Sequence, residues 1–119
     1  MNFADITKNK TVVLLGRGPT ARYYKKKKND FVIGYNYDFK INKEIDAVLK
    51  SDKIYLRDSD KFFSIDNYDF KVGSVKFALI NFLFFFDNIL KKEKRLKLYG
   101  FDFKKFSTDD DILKMKRIL

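Results

Sequence analysis

The chain has 119 residues, the length of a single domain, and it carries 26 Lys and Arg against 16 Asp and Glu, for a net charge of +10. It contains no Cys and no His, which excludes disulfides, thiolate metal sites and an imidazole acting as metal ligand or general base. Carboxylates are then the side chains left to hold a metal, and they would favour a hard ion such as magnesium. No metal site is predicted.

The excess of positive charge has two interpretations. It indicates an anionic partner, such as a nucleotide, a nucleic acid or an acidic surface, or it reflects a composition typical of an AT-rich genome. The most apolar stretch, residues 77–86, is too short to span a bilayer, which needs ~20 apolar residues. Residues 1–10 lack the apolar region of a secretory signal. The sequence therefore predicts a soluble, cytoplasmic protein.

The first strand is predicted at residues 11–15, a continuous apolar run typical of a strand covered on both faces of a parallel sheet. Gly16 ends this strand. The following Pro19 suits the first turn of a helix, where its missing N–H costs nothing. This helix is predicted to run to about residue 28, which places lysines 25–28 in its last turn, where cations interact favourably with the helix dipole.

Further strands are predicted at residues 31–35, 45–49 and 96–99, with a short additional strand at residues 54–56. A short helical or irregular link joins the second strand to the third. Residues 57–71 are rich in Asp, Ser, Asn and aromatic side chains and are expected to form a long loop.

Two helices are predicted in the second half of the chain. One opens at Gly73 and Ser74 and runs to about residue 92, and its apolar character nearly all round predicts deep burial. The other begins near Thr108, with acidic residues in its first turn and basic residues in its last. The alternation of strands and helices predicts an α/β fold, a small Rossmann-like three-layer domain with a mostly parallel sheet of about four or five strands.

In an open parallel sheet, ligands bind beyond the carboxyl ends of the strands, where the strand order reverses. With the order 3-2-1-4, this point lies between the first and the fourth strand. The residues that follow the strands, or that open a helix at this edge, are the candidate site: Gly16, Arg17, Gly18, Pro19, Thr20, Asn36, Gly73, Ser74, Gly100 and Asp102.

These residue types suit a phosphorylated ligand. Glycines allow an anion to approach the backbone, and helix N-termini offer unpaired N–H groups. Arg17 could pair with a phosphate, and Thr20 could donate a hydroxyl hydrogen bond to it. Asn36 could contact a base or a ribose, and Asp102 could accept from ribose hydroxyls or lie near a reacting centre. The same positions also suit ordinary turns and helix caps, and the Gly-x-Gly lacks the third glycine of the dinucleotide fingerprint.

The order of these segments resembles the bacterial sialyltransferases of glycosyltransferase family 42, and the related motility-associated-factor and archaeal pterin pyrophosphokinase-like domains. The resemblance covers about residues 11 to 103. The matching segments are Leu15-Gly16-Arg17-Gly18-Pro19-Thr20, Ile33-Gly34-Tyr35-Asn36, Val72-Gly73-Ser74-Val75 and Leu98-Tyr99-Gly100-Phe101-Asp102-Phe103.

The resemblance implies metal-independent transfer from a cytidine monophosphate sugar donor. It implies that the first loop meets the phosphate, that Asn36 contacts the nucleotide and that Gly73 and Ser74 lie against it. Asp102 would lie beside the donor pocket. The general base of the family is a His, which this chain lacks, so Asp102 becomes the candidate acid–base group, with Tyr35 and Tyr99 as further candidates.

Three functions are consistent with the sequence. The first is a nucleotide-sugar-dependent transferase of the sialyltransferase type, with a cytidine nucleotide or nucleotide sugar as its ligand. The second is a non-catalytic domain that binds a nucleotide or another phosphorylated small molecule. The third is a basic nucleic-acid-binding protein, which the net charge and the many aromatic residues favour.

Overall fold

The structure is a computed structural model, which describes residues 2–40, 42–50, 52–65, 71–72, 75–76, 78–90 and 95–101. Its elements are, in chain order, α1 (Phe3–Ile6), β1 (Thr11–Leu15), a 3₁₀ helix (Pro19–Tyr23), β2 (Asp30–Tyr35), β3 (Ala47–Lys50), β4 (Lys53–Leu56), β5 (Phe62–Ser64), β6 (Lys71–Val72), β7 (Val75–Lys76), α2 (Ala78–Leu90) and β8 (Leu96–Tyr99).

Six of the strands form one mixed sheet with the order β5-β4-β3-β2-β1-β8. Strands β3, β2, β1 and β8 are parallel to one another and have the order 3-2-1-4 of the four strands predicted from the sequence. Strands β4 and β5 extend the sheet beyond β3 through two antiparallel pairs. Strands β6 and β7 form a separate two-stranded antiparallel sheet.

The predicted three-layer Rossmann-like architecture is therefore wrong. The sheet has six strands and is mixed, and α2 is the one helix of more than five residues in the described part of the chain. The reason lies in the connections after β3. Two residues separate β3 from β4, which is enough for an antiparallel hairpin, whereas a parallel crossover needs a dozen or more residues and usually a helix.

The prediction of a helix over residues 19–28 is also wrong. The structure has only a short 3₁₀ helix in this segment, which begins at Pro19 and ends at Tyr23. The next residue, Tyr24, is extended, and its buried hydroxyl donates a hydrogen bond of 2.7 Å to the carboxylate of Asp30. In a helix, Lys25 and Lys28 would lie next to each other at i and i+3, where like charges are destabilising, and a short helix has little stability of its own. The lysines therefore lie on an irregular segment.

Two further local predictions are corrected. The loop predicted over residues 57–71 contains strand β5, because its two phenylalanines favour a strand that pairs with β4. The helix predicted to open at Gly73 and Ser74 begins at Ala78, since Val75 and Lys76 belong to strand β7. Gly73 and Ser74 themselves, and the last helix predicted from Thr108, lie outside the described residues.

The helices cover one face of the sheet. The side chains of α2 from residue 79 to residue 86 are buried except Phe84, as the apolar pattern predicts. The ring of Phe3, from the short helix α1, is 1% exposed and lies between Phe31, Phe63 and Phe85, with centroid distances of 5.5 to 5.9 Å. No helix in the ranges described is long and apolar enough to cross a membrane.

The opposite face of the central strands is covered mainly without α-helices. Tyr24, Tyr37 and Phe39, from the irregular segments after β1 and β2, belong to the cluster that buries this face. The second of these segments is fixed by Arg57, whose guanidinium lies 4.7 Å from the ring of Phe39 and donates hydrogen bonds to the carbonyls of Ile45 and Asn42 at 2.7 and 2.6 Å. Tyr24 and Arg57 thus hold in place the irregular segments that cover this face, which α-helices cover in a three-layer domain.

We expect the Tyr24–Asp30 hydrogen bond to make stability fall at alkaline pH. Burial, followed by the hydrogen bond to Asp30, raises the pKa of Tyr24 above its ordinary value of 10.0. The unfolded chain therefore loses this proton first, so the stabilisation is complete below pH 10 and is lost as the pH rises above 10. Urea unfolding between pH 9 and pH 11.5 should show a steeper loss for wild type than for Tyr24→Phe.

The matched control is Tyr23→Phe, because Tyr23 is 65% exposed on the preceding turn. This variant should follow the wild-type curve. Parallel curves for wild type and Tyr24→Phe would show that Tyr24 does not carry the alkaline dependence.

Candidate functional site

The carboxyl ends of β1 and β8 are joined by backbone hydrogen bonds. The N–H of Gly16 donates to the carbonyl of Tyr99 at 2.6 Å, and the N–H of Gly18 donates to the carbonyl of Gly100 at 2.7 Å. In return, the N–H of Gly100 donates to the hydroxyl oxygen of Thr20 at 3.0 Å. The predicted turn and the predicted end of the fourth strand therefore meet, and we call this arrangement the β1–β8 junction.

Close backbone contact explains the glycines of this junction. A Cβ atom on Gly16 would lie 2.6 Å from the carbonyl oxygen of Gly100, and a Cβ atom on Gly100 would lie 2.5 Å from the carbonyl oxygen of Gly16. Gly100 also has a φ of +80°, in the left-handed region that favours glycine. The two glycine N–H groups expected to face an anion are instead used between the strands.

Arg17 is a charged residue of the β1–β8 junction whose side chain is accessible to solvent. Its side chain is exposed, and in the part of the chain that the structure describes it makes no ion pair. Its charge acts on the phenol of Tyr37, whose hydroxyl donates to the carbonyl of Gly16 at 2.6 Å. Burial raises the pKa of Tyr37, and the charge of Arg17 opposes this increase in part. Arg17 and Tyr37 are therefore neighbours at the carboxyl edge.

Asn36 also lies at this edge, directly after β2, but the structure shows it as a turn residue. Its φ is +56°, a left-handed conformation that asparagine tolerates better than most residues, and its N–H donates to the carbonyl of Leu49 at 2.9 Å. Its side chain is exposed. The neighbouring Tyr35 packs its ring on Phe101, with the ring centroids 5.7 Å apart.

The structure thus brings together Gly16, Arg17, Gly18, Pro19, Thr20, Asn36 and Gly100 at the carboxyl edge of the parallel strands. The three other candidates, Gly73, Ser74 and Asp102, lie outside the described residues. Pro19 and Thr20 are exposed at the start of the 3₁₀ turn, whereas Gly16 is buried.

A cleft adjoins this edge on the face of the sheet that lacks α2. Its volume is about 490 Å³, within the usual range of small-molecule sites. Tyr37 lines it and at the same time contacts Gly16, so this side chain connects the cleft with the β1–β8 junction. The other lining residues are Asp38, Phe39, Val48, Lys50, Tyr55, Leu56 and Ser59. The cleft therefore offers aromatic rings, one carboxylate and one ammonium group.

Tyr37 is the site residue that the sequence prediction misses. The signal was present, because Tyr37 follows Asn36 at the end of a predicted strand, but the reach of its hydroxyl to Gly16 depends on the path of the irregular segment after β2. Burial also raises the pKa of Tyr35. Near neutral pH both phenols remain protonated, so they can act as hydrogen-bond donors, as Tyr37 does to Gly16, and are not bases. No group of three or more carboxylates suited to a metal ion occurs among the residues described.

Comparison of the chain with models of known protein families, with characterised proteins and with solved structures gives no match. The resemblance to the sialyltransferase-like domains therefore stays a prediction carried by the short motifs alone.

We expect Gly16→Ala to destabilise the fold by about 1–3 kcal/mol, the usual range for an inserted methyl group in a tightly packed site. The new methyl group would collide with the backbone of Gly100, which no change of rotamer can relieve. Urea unfolding measures the effect. Arg17→Ala is the control at the adjacent exposed position and should change stability by less than ~0.5 kcal/mol. Equal stability of the two variants would contradict the close contact between β1 and β8.

Proposed function

We propose that this chain is a phosphate- and nucleotide-binding domain, in which the phosphate pairs with Arg17 and the base enters the cleft beside Tyr37. The observation that carries the proposal is the exposed guanidinium of Arg17, which makes no ion pair among the described residues and neighbours a side chain that lines a cleft of about 490 Å³. The position supports it as well, since it follows β1 where the parallel strand order reverses between β1 and β8. A cytoplasmic location, where nucleotides are available, is part of the proposal.

The mode of phosphate binding differs from a backbone cradle. Two glycine N–H groups of the turn bond to Tyr99 and Gly100, so the contacts to an anion fall to side chains. A guanidinium is suited to this task because it presents several N–H donors in a plane and can contact two phosphate oxygens at once. The hydroxyl oxygen of Thr20, on the same turn, already accepts a hydrogen bond from the N–H of Gly100 at 3.0 Å, so phosphate binding depends on Arg17 in our proposal.

Binding fits the described residues better than catalysis. The phenols at this edge keep their protons because burial raises the pKa of Tyr35 and Tyr37. A transferase, as the resemblance implies, would depend on Asp102 as its acid–base group. Turnover of a cytidine monophosphate sugar that is lost in Asp102→Ala would therefore identify an enzyme, whereas binding without turnover agrees with our proposal.

The test compares cytidine monophosphate with cytidine, which lacks the phosphate, by isothermal titration calorimetry. Arg17→Ala should weaken binding of the monophosphate about tenfold or more, because hydrogen bonds to charged groups contribute about 1.5–3 kcal/mol. Binding of cytidine should be unchanged, since the base and ribose do not contact Arg17 in our proposal.

The matched control is Arg22→Ala, an exposed arginine at the other end of the same turn whose guanidinium donates to the hydroxyl of Tyr23 at 2.9 Å. This variant should bind like wild type. Absence of binding for any nucleotide at millimolar concentration would refute the proposal, as would an equal effect of Arg17→Ala on cytidine and its monophosphate.

A further inference from the structure

The antiparallel half of the sheet has one covered and one open face. Alternate residues of its strands, among them Leu49, Ile54 and Phe63, pack in the core beneath α1 and α2. Because side chains alternate along a strand, their neighbours point to the other side. Val48 on that side is buried beneath the segment after β2, and the register places five residues together beyond it, which we call the open face: Lys50, Lys53, Tyr55, Phe62 and Ser64.

Two aromatic side chains lie uncovered on this open face. Tyr55 pairs directly with Phe62 across the strands, and their ring centroids are 6.0 Å apart. Tyr55 is 39% exposed and Phe62 is 51% exposed, although an aromatic pair of this size would ordinarily be buried. The pair lies on regular strands rather than on a loop, so the rings form a fixed platform.

Two lysines adjoin the aromatic pair. Lys50 and Lys53 are direct partners in the β3–β4 register, and like charges in this position destabilise a strand pair. The ammonium group of Lys53 also lies 5.0 Å from the centre of the Phe62 ring. An anion placed between the two lysines would remove their repulsion. The carboxylate in the adjoining cleft, Asp38, accepts a hydrogen bond from the N–H of Lys40 at 2.9 Å.

We propose that the open face binds single-stranded nucleic acid. Bases would stack on Tyr55 and Phe62, and phosphates would pair with Lys50 and Lys53. Stacking on aromatic side chains next to basic groups is how proteins bind single strands without sequence preference, and a duplex cannot use this platform because its bases are stacked on one another. The net charge of +10 would attract the strand from a distance. This proposal goes beyond the mononucleotide site; the two surfaces share Lys50 and Tyr55, whereas Arg17 belongs to the mononucleotide site alone and Phe62 to the open face alone.

The experiment is fluorescence anisotropy of a labelled twelve-residue oligouridylate or oligothymidylate titrated with the full chain at low salt. Tyr55→Ala and Phe62→Ala should each weaken binding about tenfold, given the usual contribution of one stacked base. Tyr55→Phe should retain the affinity because it keeps the ring. Lys53→Gln should lower the salt dependence, with the slope of log affinity against log salt falling by about 0.7.

Two controls separate this site from the other surfaces. Tyr23→Ala removes an exposed tyrosine on the 3₁₀ turn and should bind the oligonucleotide like wild type. Arg17→Ala should also leave oligonucleotide binding intact, whereas Phe62→Ala should leave cytidine monophosphate binding intact, because Phe62 does not line the cleft. The experiments can therefore show that one proposal is wrong while the other still holds.

Three results would overturn the proposal. These are oligonucleotide affinity that is unchanged in the Tyr55→Ala, Phe62→Ala double variant, equal affinity for a duplex of the same length, and no binding at low salt. Sedimentation of the wild-type chain as a dimer that Phe62→Ala dissociates, without oligonucleotide binding, would assign the open face to a second copy of the chain instead. Unfolding midpoints equal to wild type show that each variant is folded.

Discussion

The mutual hydrogen bonding of the β1 and β8 ends is the constraint on which the candidate site depends. Gly16 and Gly18 donate to consecutive carbonyls of the β8 end, and Gly100 donates back to Thr20. Because these bonds need the two backbones in contact, they fix the turn that carries Arg17. They also use N–H groups that would otherwise face an anion. In the function we propose, recognition of a phosphate therefore depends on the Arg17 side chain and not on the backbone.

The lengths of the connections between strands explain why the cleft and the open face exist. The segments that follow β1 and β2 are long enough to lie over the central strands, and they cover them with a 3₁₀ turn and irregular chain. The hairpins that join β3, β4 and β5 are short and bring no covering segment. The cleft therefore forms where the cover ends, beside Tyr37, and it continues into the open face through Lys50 and Tyr55. One change of connection, from crossover to hairpin, produces both features.

The sequence was sufficient for features that depend on local pattern. The apolar runs of β1 and β2 and the burial of α2 agree with the structure, and the order of the parallel strands is the one on which the predicted site was conditioned. The layering of the domain could not be predicted, because it depends on contacts between distant residues. Tyr24 ends the first turn by bonding to Asp30, and Arg57 fixes the link between β2 and β3, for which the sequence allowed a helical or an irregular structure.

The candidate site, like the fold, could be predicted from the sequence only in part. The turn after β1 and the glycine after β8 could be placed from the strand pattern, since the carboxyl ends of parallel strands share one edge. The hydrogen-bond partners of their N–H groups could not be predicted, because the Gly-x-Gly pattern is the same whether the amides face a ligand or a neighbouring strand. Tyr37 enters the site only through the path of the segment that carries it.

The position of β1 between β2 and the edge strand β8 has a consequence for how the chain reaches its native state. One partner of β1, strand β2, follows soon in the chain, but the other, β8, is separated from it by most of the described elements. Contacts between distant segments form slowly because loop closure costs entropy. Until β8 arrives, the Thr11–Leu15 edge presents unpaired amides on an apolar, β-branched strand, which is the type of segment that initiates aggregation. Nascent or partly unfolded chains should thus be the form of this protein that chaperones recognise.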